Sequence, residues 1–324
     1  MSSLPELQLL IEQLVANSVI SSEPQALYQP LNYTLSLEGK RIRPLLCLLA
    51  AELVGGKASS ALSVAKCVEY FHNFSLIHDD IMDKATLRRG KATVHEKYGL
   101  NTAILSGDVM LVCAYEMLAE NEDKYLPSLF QVFNRTARQV CEGQQYDMLF
   151  ETAKHVSIKE YLRMIELKTA VLLGASLQMG AIVGGAKKRN RQMLYEYGMH
   201  IGIAFQLQDD ILDTFSNEKM LGKKIGGDIL QNKKTFLLIK ALELADQSTL
   251  EQLQYWITRP KAPEQEKIAA VTHIYQKLNV LALAQEQMQY HYNLAAQYLD
   301  DIDVPNEQKA NLRQLTKQLM HRVK

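Results

Sequence analysis

The chain has few of the residues that interrupt helices. Only 8 prolines and 16 glycines punctuate its 324 residues, and no segment alternates apolar and polar positions for long. That argues against a sandwich, a barrel or a parallel sheet. An excess of either charge is also missing: 36 Lys and Arg balance 36 Asp and Glu. No global field therefore selects nucleic acid or an anionic membrane, and any polyanion site must be a local cluster. No run of 18 consecutive apolar residues occurs, so no membrane span is expected. The N-terminus, "MSSLPELQLLIEQLVANSVI", lacks a basic stretch followed by an apolar core and reads as an amphipathic helix, not a signal peptide. Cysteine is scarce and no CxxC is present. Cys47, Cys67, Cys113 and Cys141 lie in apolar helical patterns and read as reduced core residues of a cytoplasmic protein.

What remains is helix. Apolar residues recur at steps of three and four, the period of an amphipathic helix. Pro44 opens one helix, which Gly55-Gly56 closes. A second runs from about Ser59 into residues 79–83 and frays by Gly90. Ser157 with Glu160, and Ser248 with Glu251, form candidate capping boxes. Another helix spans about Asn190–Asp213 and the stretch 214–227 reads as a loop. With no linker, repeat or low-complexity tract, the expected architecture is one all-α domain over 1–324. It should hold ten or more helices.

The chemistry is concentrated in two places. "IHDDIMD" carries Asp79, Asp80 and Asp83, and "FQLQDDILD" carries Asp209, Asp210 and Asp213. In each, the first and last aspartates are four apart and share one helix face. Like charges at that spacing repel unless a cation lies between them, and paired carboxylates suit Mg²⁺, a hard ion that shares its oxygen ligands with phosphates. With fourteen aspartates in the chain, one DDxxD arises by chance in about 3% of such sequences, and two do so about once in a thousand or less. "LDDIDV" near the C-terminus has the wrong spacing and reads as a surface turn. Basic residues cluster too: "GKRIRP" (Lys40, Arg41, Arg43), "LRRG" (Arg88, Arg89), "LKT" (Lys168, Thr169) and "GKKIGGDILQNKKT" (Lys223, Lys224, Lys233, Lys234). Such clusters partner phosphate oxygens. Any one alone would be a solvated face; together with two carboxylate motifs they point to more than one phosphorylated ligand.

These motifs, in this order, resemble the trans-isoprenyl diphosphate synthases, and the similarity spans nearly the whole chain. The resemblance implies a bundle of mostly antiparallel helices around a central cavity, normally a homodimer. It also implies Mg²⁺-dependent, head-to-tail condensation of isopentenyl diphosphate with an allylic diphosphate, with three Mg²⁺ ions per active site. Asp79, Asp83 and Asp209 would hold the metal; Asp80, Asp210 and Asp213 complete the motifs, Asp213 through a water. Arg88, Lys168, Lys223 and Lys233 would contact the allylic diphosphate. Lys40, Arg43, His72 and Arg89 would bind isopentenyl diphosphate, and Thr169 and Gln206 would line the reacting carbons. Phe71, Phe74 and Ser75, on the helix leading into the first motif, would form the floor that limits product length. An aromatic five positions before the motif and a small residue four before it imply a C20 geranylgeranyl product, with C15 farnesyl next. One departure is Ala92, where relatives often have proline. Three other readings fit less well. A class I terpene cyclase normally has a different second metal motif. A non-catalytic regulatory subunit typically loses one motif. A di-iron bundle would need Glu and ExxH pairs.

Overall fold

The computed structural model describes residues 2–18, 20, 22–216, 225–259 and 262–320. Lys223 and Lys224, and most of the loop expected at 214–227, lie outside the described residues. The chain divides into two compact units. One comprises residues 1–138, 172–198 and 299–312, the other residues 139–171, 199–298 and 313–324.

In the first unit, α1 (Leu4–Ala16) begins at a capping box. Ser3 accepts from the backbone N–H of Glu6, and the Glu6 side chain returns to the Ser3 N–H. Leu4, Leu7 and Ile11 bury its apolar stripe. After α2 (Gln25–Ser36) comes α3 (Ile42–Leu53), in which every residue from Pro44 to Leu53 is buried, so it forms the core itself. Pro44 stands in its first turn, where no backbone donor is required. A short 3₁₀ turn leads into α4 (Leu62–Met82), which packs on α3 and α6. Then follow a hairpin of β1 (Leu87–Arg88) and β2 (Lys91–Ala92), α5 (Val94–Tyr98), α6 (Leu100–Ala119) and the first half of α7 (Leu126–Thr152). The helix α9 (Val171–Val183) is buried almost all round. At Gly180 a Cβ would stand 2.1 Å from the Cys47 carbonyl oxygen, so α9 and α3 cross with backbones touching, as only glycine allows.

The second unit holds the end of α7, α8 (Ile158–Ile165), a π-helical turn (Glu166–Ala170) and most of α10 (Lys188–Phe215). It continues with α11 (Gly227–Leu230), α12 (Phe236–Leu244), α13 (Gln247–Thr258), α14 (Glu264–Lys277), most of α15 (Val280–Asp300) and most of α16 (Ala310–Met320). The capping box at Ser157–Glu160 is present. That at Ser248 is not: Asp246 caps α13 by accepting from the Thr249 N–H, and Ser248 lies inside the first turn. An aspartate two residues upstream offers a charged acceptor and takes the cap.

Three further expectations change or gain detail. Cys47, Cys67 and Cys113 are buried thiols, but Cys141 is exposed on α7. Among the described residues the all-α chain contains one short hairpin, closed by Arg89 and Gly90 with φ of 53° and 73°. By length and hydropathy alone, Leu100–Ala119 and Ile158–Val183 could each cross a bilayer. The second is 83% buried, as in a core helix, and the first only 39%. The absence of an uninterrupted apolar run did not anticipate this, because small and uncharged polar residues leave mean hydropathy high. "LDDIDV" does form a turn at the end of α15, with Asp301 and Asp303 exposed.

Candidate active site

The first aspartate motif occupies the last turn of α4. Asp83 is the exposed C-cap, Asp79 is half-buried and Asp80 is buried. The hairpin returns Arg88 to this turn. Its Nε donates to both Asp80 oxygens at 2.8 Å, and its guanidinium reaches Asp79 Oδ2 at 3.2 Å. Burial pushes the Asp80 carboxyl above its ordinary range, against the pull of Arg88. Because the hairpin turns at Arg89, the neighbouring guanidinium points elsewhere. It lies over Gly39, where a Cβ would stand 2.8 Å from it, and donates to the Leu37 carbonyl at 3.4 Å. Adjacent arginines are thus delivered to different surroundings.

Beside them, Arg43 meets the His72 ring at 3.1 Å. Burial, then the charges of Arg43, Arg89, Arg88 and Arg41, holds the His72 imidazole well below its usual pKa, so it is neutral. Burial also lowers the Arg43 guanidinium to about 10, and its Nε is buried without a hydrogen-bond partner. A buried donor left open among cations fits an anion. Arg41 belongs to the scaffold. It pairs with buried Glu69 and donates to the Leu35 and Leu37 carbonyls, ordering the loop before α3. Lys40 is exposed on that loop.

Phe71, 1% exposed, packs edge-on against Phe133 of α7 and tilted against Phe74, with ring centres 5.4 and 5.6 Å apart. Phe74 meets His78 edge-on at 4.8 Å, and His78 lies against the Ile104 carbonyl and Gly107 of α6. At about 100° per residue, Phe74 lies about 140° round the helix from Asp79, whereas Ser75 stays near the motif's face. Phe74 is therefore on the flank toward α6.

In the second unit, the other motif occupies the last two turns of α10, with Asp213 two residues before its end. Asp209 is half-buried, while Asp210 and Asp213 are buried. The Asp210 carboxylate accepts from the Tyr161 hydroxyl and, at 3.4 Å, from Gln206 Nε2. Burial, then the nearby Asp228 carboxylate, pushes its pKa up to about 8. Asp213 is turned to the protein: its Oδ2 accepts from the Asp228 backbone N–H at 3.0 Å, holding the start of α11. Thr169 donates to Gln206 Oε1 at 3.4 Å, and Lys168 donates to Asp147 at 2.6 Å. Both come from the π-helical turn, pressed against α7 where a Cβ on Gly143 would lie 2.2 Å from the Lys168 nitrogen. Lys233 is exposed just after α11.

Four residues that pattern-reading passed over help to build these clusters: Glu69, Asp147, Tyr161 and Asp228. Asp228 sits in "GKKIGGDI" and could have been noticed there. The others are single residues inside helices and carry no spacing signal. Among the described residues no three His, Cys, Asp or Glu side chains form a ready-made metal cage. The donors the motifs offer are carboxylates, suited to a hard ion that completes its shell with phosphate and water, as Mg²⁺ does.

Residues 24–277 match the model of the polyprenyl synthetase family. The chain is 45% identical over 224 residues to the geranylgeranyl diphosphate synthase of Methanosarcina mazei, covering 68% of this chain and 69% of that one. It is 35% identical over 302 residues to a short chain isoprenyl diphosphate synthase of Methanothermobacter thermautotrophicus, covering 93% and 92%. A crystal structure of a geranylgeranyl pyrophosphate synthase superimposes with a TM-score of 0.95 at 41% identity, over 100% of both chains. With a family model matched over most of its length and relatives this similar, the chain belongs to the polyprenyl synthetase family.

Proposed function

We propose that this chain is a prenyltransferase that joins isopentenyl diphosphate head-to-tail to an allylic diphosphate, yielding a short-chain trans-prenyl diphosphate. The observation that carries the reading is the divided basic cluster of the first unit. Arg88 is bound to the aspartate motif, while Arg43, His72 and Arg89 form a separate group with an open buried donor. One diphosphate fits beside the carboxylates and a second fits the arginines and the neutral imidazole. The carbon–oxygen bond of the allylic substrate breaks and diphosphate leaves with the electron pair. The double bond of isopentenyl diphosphate attacks the cation, and loss of a proton restores a double bond in a chain five carbons longer.

Arg88, Lys168 and Lys223 take up the charge that develops on the leaving diphosphate, and Lys233 contacts the allylic diphosphate. Lys40, Arg43, His72 and Arg89 orient isopentenyl diphosphate, and Thr169 and Gln206 line the reacting carbons. Asp79, Asp83 and Asp209 would hold Mg²⁺, which when bound neutralises diphosphate charge. On this reading residues 1–324 work as one cytoplasmic catalytic domain. A second copy covers the apolar stripe of Leu100, Ile104, Leu105 and Val112 exposed on α6. A terpene cyclase or a non-catalytic subunit fits less well, because the second motif repeats the first.

The product is C20, with C15 the alternative. Phe74, packed against Phe71 on the α6 flank of α4, limits the tail. The test is incubation of the purified protein with Mg²⁺, isopentenyl diphosphate and each allylic primer, followed by chromatography of the dephosphorylated products. Phe74→Ala should shift products to longer chains, and Phe71→Ala should add to the shift. An active Phe74→Ala enzyme with the parent's product distribution would remove Phe74 from the floor.

A further inference from the structure

Lysine is almost never buried without a carboxylate partner, yet Lys267 on α14 is 6% exposed and its ammonium meets none among the described residues. It donates instead to the Asn232 Oδ1 at 2.7 Å and to the Leu230 carbonyl at 3.3 Å. Burial lowers its pKa. Something must offset the cost of desolvating that charge, and the segment it holds suggests what.

Residues 226–233 form a single tight feature. At the front, the Asp213 carbonyl accepts from the Gly226 N–H at 2.8 Å and its carboxylate from the Asp228 N–H. Gly226 has φ of 78°, and a Cβ there would strike Ile268, the neighbour of Lys267 on α14. At the back, Lys267 closes the last turn of α11, where carbonyls lack partners and a cation is favoured. Asn232 then adopts φ of 53°, rare for a residue with a side chain. Both ends of its amide are held: Oδ1 by Lys267, and Nδ2 by donating to the Ile257 carbonyl at 3.1 Å. The next residue is Lys233, whose N–H closes onto the Asp228 carbonyl at 2.9 Å. A cavity of about 10 Å³ beneath the segment, lined by Asp228, Asn232, Lys233 and Tyr275 among others, has room for one water at most. The segment is therefore shaped by its two clamps.

We infer that Lys267 is a positioning residue for diphosphate binding: by fixing Asn232 in its left-handed conformation it aims Lys233, and with it Asp228, at the substrate. This rests on the reading of Lys233 as a contact of the allylic diphosphate.

Lys267→Met keeps the length and apolar stem and removes both hydrogen bonds. It should raise the KM for the allylic diphosphate about tenfold while leaving kcat within about threefold, the signature of lost ground-state binding. Asn232→Gly tolerates the positive φ and deletes the held amide, so it should raise the same KM even if Lys267→Met fails to fold. An unchanged allylic KM in a folded Lys267→Met, or in Asn232→Gly, would overturn the inference, as would a loss confined to melting temperature. The cycle with Lys233→Ala gives a stricter check. The combined variant should lose less than the two single losses multiplied together, and fully additive free-energy losses would overturn the coupling. If Lys233→Ala by itself left the allylic KM unchanged, the assignment of Lys233 would fall, and Lys267→Met would then report on the segment through Asp228.

Discussion

At the end of α4, Asp83 is exposed and caps its helix; at the same place in the second motif, Asp213 is buried and its carboxylate serves a backbone N–H. The middle aspartates differ as well. Asp80 is held by a guanidinium from the adjoining hairpin, eight residues away. Asp210 is held by the phenol of Tyr161, 49 residues away, and lies near a second carboxylate. One spacing therefore supports two kinds of site. The first sets its carboxylates beside a guanidinium at a helix end. The second buries two of its three inside protein, leaving half-buried Asp209 as the group best placed to meet a ligand.

The largest effect should come from the residues the motifs share. Asp79→Ala and Asp209→Ala should each lower kcat by about a thousandfold, with circular dichroism unchanged. Near-normal turnover in either would mean that the two motifs are not equivalent in the chemistry.

The middle positions should sharpen the contrast. Asp80→Asn weakens the hold on Arg88 and should cost about tenfold or more in kcat/KM. Asp210→Asn should cost only about threefold, because Asp210 is buried and its oxygens already accept from Tyr161 and Gln206. The sign for stability follows. The fold favours the protonated form of Asp210, so its contribution is complete below the ordinary carboxylate pKa and is lost as pH rises through about 8. In metal-free protein the melting temperature should fall over that interval, and Asp210→Asn should flatten the fall. A larger kinetic loss for Asp210→Asn than for Asp80→Asn would reverse the comparison.

The finest distinction separates neighbours within the first region. Arg88→Ala should raise the KM for the allylic substrate about tenfold, and Arg89→Ala should raise that for isopentenyl diphosphate by a similar factor. Steady-state kinetics with each substrate varied in turn would measure both. If Arg89→Ala impaired only the allylic substrate, the two pockets would be exchanged.

Much of this was open to reading from the chain alone. Apolar steps of three and four placed the helices, because a helix that buries one face must repeat near 3.6 residues. Spacing alone put Asp79 with Asp83 and Asp209 with Asp213 on common faces, because i and i+4 project together on any helix. The capping box at Ser157 was legible as a local pattern. The one at Ser248 misled, since several upstream residues compete for a cap and geometry selects among them. Helix angle is equally legible: five residues turn Phe74 about 140° away from Asp79.

What tertiary structure alone decided is which distant group answers each charge. Tyr161 for Asp210, Asp147 for Lys168 and Glu69 for Arg41 come from other helices or turns and carry no mark in their own neighbourhoods. Helix formation and side-chain direction are set within a few residues, so sequence determines them directly. Burial and the identity of a charge's partner depend on which helix faces pack together, and chain spacing does not encode that pairing. Lys267 makes the point most simply. In the sequence it is one lysine among exposed neighbours, and only packing against α11 turns it into a buried clamp.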